Sequence, residues 1–158
     1  MDHQRLKLDN IREKAGRTVL ELTDGLGFDT QAAGWIYMDD SAEGEREWRL
    51  YLITPMIDEK GPVWIYERLL KVFRKVGLPE GITPLDIYIA GPKDGLFLAL
   101  QKFLHPEGDG LLEVSDSSFE DHEFSFSVKY IAFYRIKTKP IKAKPALFAK
   151  KVEQLLAA

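Results

Sequence analysis

The sequence predicts an α+β fold: a single mixed or mostly antiparallel sheet of about five strands flanked by helices, in the order αββαβαββα, within one domain over residues 1–158. Three observations lead there. The chain opens and closes on apolar residues spaced by three and four. Two pairs of aromatic and β-branched segments flank polar turns. A helix with clear start and stop signals joins two strands.

Residues 5–24 place Leu8, Ile11, Ala15, Val19 and Leu22 on one helical face, and Gly25 and Gly27 supply a stop. AGWIYM (33–38) and REWRLYLIT (46–54) flank the polar DDSAEGE as a hairpin, with Trp48, Leu50 and Leu52 on one face of the second strand and Arg49, Tyr51 and Ile53 on the other. In GPVWIYERLLKVFRKVGLP, Pro62 suits the first helical position and Gly77 with Pro79 ends the helix. Val63, Tyr66, Leu70 and Phe73 form its stripe, widened by Trp64, Ile65, Leu69, Val72 and Val76. LDIYIA (85–90) follows, so residues 46–90 make a strand–helix–strand unit, the mark of a parallel crossover.

After the turn AGPKDG, GLFLALQKFL (95–104) is a short buried helix capped by Asp94. LLEVS (111–115) and a long strand from Glu123 to Ile136 form a second hairpin around DSSFED, and PALFAKKVEQLLAA closes the chain as an amphipathic helix with Pro145 near its start. At ~3.3 Å per residue the long strand would run about 45 Å, which calls for a bulge, a bend or an overhang. Phe124, Phe126, Val128, Tyr130, Ala132, Tyr134 and Ile136 form its core face. Ser125, Ser127, Lys129, Ile131, Phe133 and Arg135 form the other, whose later, apolar part is expected under the C-terminal helix.

With 45% hydrophobic and 30% charged residues, a chain of this length can bury a core. The absence of cysteine excludes disulfides, thiolate catalysis and cysteine-ligated metal centres. MDHQRLKLDN has no apolar run after a basic start, and no window approaches the ~20 apolar residues of a membrane helix, so a cytoplasmic protein without membrane contact is expected.

Net charge is only −3, but it is segregated: residues 103–128 hold seven acids and no Lys or Arg, whereas residues 129–158 hold eight Lys or Arg and one acid. Asp116, Glu120, Asp121, His122 and Glu123 form an acidic tip. These ligand types suit hard cations, but consecutive residues on a strand point to opposite faces and the register of an EF-hand loop is not met, so no metal is expected. Carboxylates beside His122 are expected to raise its pKa. At the basic end, Lys137, Lys139, Lys142 and Lys144 sit in KTKPIKAKP, an extended connector, and are the expected anion or partner contact. Tyr130, Phe133 and Tyr134 offer a stacking surface beside it unless the core uses them.

Two further patterns have plainer explanations. Asp39, Asp40 and Glu47 resemble the paired acids of a metal-dependent phosphodiesterase or nuclease, yet the lysine such sites add is missing and DDSAEGE is also ordinary turn chemistry. AGPKDG offers backbone amides and Lys93 to an anion but lacks the spacing of a nucleotide loop. His3, His105 and His122 are widely spaced and form no legible triad, and the tryptophans Trp35, Trp48 and Trp64 line either a pocket or the core. The expected function is therefore a small non-catalytic binding domain without cofactor, engaging a protein partner or its own copy first and nucleic acid second. The Asp39, Asp40 and Glu47 enzyme is the alternative.

Overall fold

A computed structural model describes residues 7–40, 45–103, 111–120 and 125–158, and within them the side chains of 38–40, 45–47, 103, 117, 119 and 125–127 lie outside the description. The order is α1 (Asn10–Gly25), β1 (Ala32–Asp40), β2 (Glu45–Ile53), α2 (Met56–Val76), β3 (Ile87–Ala90), α3 (Gly95–Phe103), β4 (Leu112–Glu120), β5 (Ser125–Ile136) and α4 (Pro145–Ala157). The strands form one sheet in the order β3-β2-β1-β5-β4, mixed because β2 and β3 are parallel while every other pair is antiparallel. The predicted α+β class and element order hold.

Each sheet face carries its own apolar layer. On one, Ala33, Trp35, Leu50, Leu52, Ile87, Ile89 and Ala132 pack under α1, α2 and α4; on the other, Ile36, Tyr51, Ile53, Ile131 and Phe133 pack under Phe97 and Leu100 of α3. The apolar end of the second β5 face is thus covered by α3, not by the C-terminal helix. A two-sided sheet needs a cover on each face, and α4 is already committed beside α2, where Phe148 meets Phe28 at 5.4 Å and Trp64 at 6.0 Å.

Local sequence sets the helix ends. Asp9 caps α1 by accepting from Arg12 N–H at 2.8 Å, so the helix starts at Asn10 and its buried face is Ala15, Gly16, Val19, Leu20 and Thr23. Leu8 is buried ahead of the helix, while Ile11, expected on the core face, is half exposed. The α2 helix begins six residues before Pro62, but Gly61 at φ +78° breaks it, and Pro62 opens the second segment as its chemistry dictates. Val63 and Val76 of the expected stripe face outward, and Ile65, Leu69, Val72 and Phe73 form the inner face. The β1 and β4 strands run further than predicted, so Asp39, Asp40, Asp116 and Glu120 lie on strands rather than in turns.

The expected irregularity in β5 is a bulge. Ala33 of β1 pairs with Arg135 and Gly34 with Phe133, leaving Tyr134 as the extra residue. Two consecutive side chains, Tyr134 and Arg135, are thereby turned toward α1, and Ile136 is shifted into the α3 layer. Strict alternation had assigned both Arg135 and Ile136 to the opposite faces. The Tyr134 hydroxyl accepts from Trp35 Nε1 at 3.1 Å and donates to the Glu13 carbonyl at 2.6 Å, with the Arg17 guanidinium 5.1 Å from its ring centre. The helix approaches so closely that a Cβ on Gly16 would lie 2.4 Å from Trp35 Nε1.

The edges are protected differently. On β3 the Tyr66 hydroxyl donates to the Ile87 carbonyl at 3.2 Å and accepts from Ile89 N–H at 3.0 Å, taking the place of a neighbouring strand. On β4, Glu113, Asp116 and Glu120 are exposed acids, and Asp116 has φ +45°. Among the described residues, no helix is long and apolar enough to cross a membrane.

Replacing a helical glycine by alanine ordinarily stabilises by ~1 kcal/mol. For Gly16→Ala the contact with Trp35 and Tyr134 reverses the sign, and a net loss of about 1–3 kcal/mol is expected in urea unfolding; an unchanged or raised midpoint would refute this packing. Burial pushes Tyr51, Tyr130 and Tyr134 up to about 12, and for Tyr130 the Glu113 carboxylate that its hydroxyl donates to adds to the rise. A raised tyrosine pKa leaves stability intact below pH 10 and removes it as pH climbs from 10 to 12, because the unfolded chain ionises first. Tyrosinate absorbance should therefore appear together with loss of ellipticity in that window, and smooth ionisation near pH 10 without unfolding would contradict the burial.

Candidate functional site

The strand directions sort the charge. The β1 and β4 strands both run antiparallel to β5, so Asp40, Glu45, Glu120 and Ser125 mark one end of the sheet and Ala32, Ile53, Leu112 and Ile136 the other. Twelve residues of β5 at ~3.3 Å each separate the ends by roughly 35–40 Å, several times the ~8 Å screening length in physiological salt. Glu120, at the acidic end of β4, therefore cannot neutralise the lysines that follow Ile136, and Asp116 lies midway along the same strand.

Those lysines lie on a strap, residues 137–144, that has no helix or strand of its own but is held at its main chain. Lys137 N–H donates to the Gln31 carbonyl at 2.8 Å, and Gln31 Nε2 returns bonds to the carbonyls of Lys137 at 3.1 Å and Lys139 at 3.3 Å. Gln101 Nε2 donates to the Thr138 carbonyl at 3.3 Å, and Lys144 N–H donates to Asp29 Oδ2 at 3.0 Å. Ala143 is buried, while Lys137, Lys139, Lys142 and Lys144 are all exposed. Gln31 can do this because it is only 2% exposed, on the first residue before β1, with its own N–H bonded to the Ile53 carbonyl at 2.7 Å.

The platform beneath the strap is the loop after α1. Gly27 at φ +73° and Asp29 at φ +56° reverse the chain there, a conformation that glycine and aspartate tolerate best. Thr54 Oγ1 bonds the Phe28 carbonyl at 2.7 Å, and the Phe28 ring is wholly buried. The bulge delivers Arg135 to this loop, where its guanidinium meets both oxygens of Asp24 at 2.8 and 2.7 Å and the Thr30 carbonyl at 3.4 Å. Those bonds to Asp24 push the Arg135 pKa further up against its partial burial.

The other candidates fare differently. Tyr130 and Phe133 are buried and Tyr134 is spent on Trp35 and Glu13, so no aromatic stacking surface adjoins the strap. Trp35 is fully buried, and Trp48 and Trp64 pack against the same layer, as core rather than pocket. At AGPKDG the start of α3 is already taken, since Asp94 Oδ2 accepts from Leu96 N–H at 3.0 Å, and Lys93 is exposed. Asp39 pairs in register with Arg46, Asp40 with Glu45 and Met38 with Glu47, and the side chains of all six lie outside the description. Asp116 and Glu120 are exposed on β4, whereas Asp121, His122, Glu123, His105 and His3 lie outside the described residues. Among the described residues no group of three or more Asp, Glu or His could hold a metal ion.

The sequence shows the strap lysines, but not the residues that fix the strap: Gln31, Asp29 and Gln101 are ordinary polar residues whose role depends on contacts across 106, 115 and 37 positions. Gln31→Ala removes two of those bonds and leaves two carbonyls to find water. A loss of about 1–2 kcal/mol is expected, with faster amide exchange along 137–144; unchanged exchange there would show that Gln31 does not hold the strap.

No protein-family model, no curated protein and no solved structure matches this chain.

Proposed function

We propose that this chain is a non-catalytic binding domain whose contact surface is the strap bearing Lys137, Lys139, Lys142 and Lys144, and whose occupant is an acidic surface on a protein partner. The observation that carries this reading is the combination of a main chain fixed by bonds to Gln31, Gln101 and Asp29 with four lysine side chains left in solvent. An ordered backbone reduces the entropy lost when the charges are engaged, and four ammonium groups at one end of the sheet steer an anionic partner toward it. An acidic protein surface is favoured over nucleic acid because Tyr130 and Phe133 are buried and Tyr134 is bonded to Trp35 and the Glu13 carbonyl, which argues against a stacking platform for bases among the described residues. Lysine presents a point charge rather than the planar fork that reads phosphate in pairs, which also fits carboxylate side chains scattered over a surface.

The test uses the full chain, a fluorescent poly-glutamate peptide and an oligothymidylate of similar length, titrated by anisotropy across a salt series. The peptide should bind, and its affinity should fall by roughly tenfold or more between 50 and 200 mM salt. Changing Lys137, Lys139, Lys142 and Lys144 together to Gln should abolish that binding without moving the unfolding midpoint by more than ~1 kcal/mol. Tighter binding of the oligonucleotide would replace the acidic protein by a nucleic acid as partner, and absence of salt-dependent binding to either probe would sink the proposal.

A further inference from the structure

Beside the strap lies a cavity of about 310 Å³ whose lining includes Asp24, Asp29, Thr30, Arg135, Lys137 and Ile141. Its charges are arranged unusually for a surface hollow. Asp24 and Arg135 neutralise each other through two bonds of 2.8 and 2.7 Å. That leaves Asp29 and Lys137, one negative and one positive, lining the same cavity with no salt bridge between them. Asp29 uses Oδ2 to accept from Lys144 N–H, and the Lys137 ammonium has no ion pair among the described residues.

A second observation comes from Thr30. It lines the cavity, is only 2% exposed, and its Oγ1 is buried with no hydrogen-bond partner among the described residues. A buried hydroxyl left without a partner costs free energy, and most such groups in folded proteins are paired. Among the described residues Arg135 likewise commits three of its five N–H groups, two to Asp24 and one to the Thr30 carbonyl.

From these we infer that the cavity is a binding site for a small zwitterion, of which a free α-amino acid is the simplest example. With Asp24 and Arg135 paired, a simple anion would gain Lys137 but meet Asp29, and a simple cation the reverse, so either would gain one attraction against one repulsion. A molecule with an ammonium and a carboxylate on one carbon meets both unpaired charges with the favourable sign. Its carboxylate takes Lys137, the spare Arg135 hydrogens and the Thr30 hydroxyl, and its ammonium takes the free oxygen of Asp29. Ile141 offers apolar contact to a short side chain. The site shares Lys137 and Asp29 with the proposed partner contact, so the variant that separates the two is placed at Thr30, and both variants leave the strap lysines intact.

The experiment is a ¹H–¹⁵N titration of the full chain with L-alanine, L-alaninamide and N-acetyl-L-alanine. L-Alanine is expected to move the amide signals of Asp29, Thr30 and Lys137 saturably, and the two analogues, each lacking one charge, to bind roughly tenfold or more weakly. Thr30→Val removes the hydroxyl at nearly constant shape and should weaken L-alanine several-fold while poly-glutamate binding is unchanged; Asp29→Asn, which keeps both a residue that tolerates positive φ and an acceptor for Lys144 N–H, should likewise weaken L-alanine several-fold. No saturable shift with L-alanine, an equal response to N-acetyl-L-alanine, or full binding by both variants would overturn the assignment. Because the peptide titration reads the strap and the alanine titration reads the cavity, either can fail while the other stands.

Discussion

One extra residue in β5 organises this molecule. At Tyr134 the strand falls out of alternation with β1, and two neighbouring side chains leave on the same side of the sheet. Tyr134 joins the central tryptophan, Trp35, to a backbone carbonyl of α1, and Arg135 joins the end of the same helix through Asp24. Both attachments, about three turns apart along α1, hold the helix across the sheet at the close distance that Gly16 permits. The shift in phase also moves Ile136 to the opposite layer, so the bulge sets which residues of the strand's end belong to the core and which reach the surface.

The same shift links packing to charge. Once Arg135 is engaged by Asp24, the chain leaves the sheet beside the loop that carries Asp29, Thr30 and Gln31, and the lysine strap lies against that loop rather than trailing into solvent. Polar side chains give the strap its path beside the one apolar anchor at Ala143: a buried glutamine amide bridges two of its carbonyls and an aspartate receives its last N–H. The acids at the far end of β4 and β1 sit at the other extreme of a sheet stiffened by apolar layers on both faces, which keeps the two charge blocks from collapsing on each other.

Much of the fold was legible because local signals agreed. Gly77, Asp94 and Pro145 mark helix ends by local chemistry, Pro62 marks the second segment of α2, and the alternation in 46–54 assigned its two faces correctly. The errors arose where tertiary contacts decide. Asp39, Asp40, Asp116 and Glu120 look like turn residues, but strand pairing extends through them; the face of α1 turned toward its packing partners, leaving Ile11 half exposed. Length alone called for a bulge, a bend or an overhang in β5, yet which of these occurs, its position and the reassignment of Arg135 depend on pairing with β1, which no local window contains. The lysines of the candidate site were visible as charge, whereas the cavity beside them draws on residues more than a hundred positions apart.

That separation also bears on how the chain comes together in time. The central strand, β1, is made well before β5, one of its two neighbours, and the Trp35–Tyr134 and Gln31–Lys137 bonds span 99 and 106 residues. Until β5 is available, β1 has one bare edge and α1 lacks its attachments to Tyr134 and Arg135. Topology of this kind slows the search for the native state and exposes an apolar edge during synthesis, a period in which a nascent chain depends on its surroundings for protection.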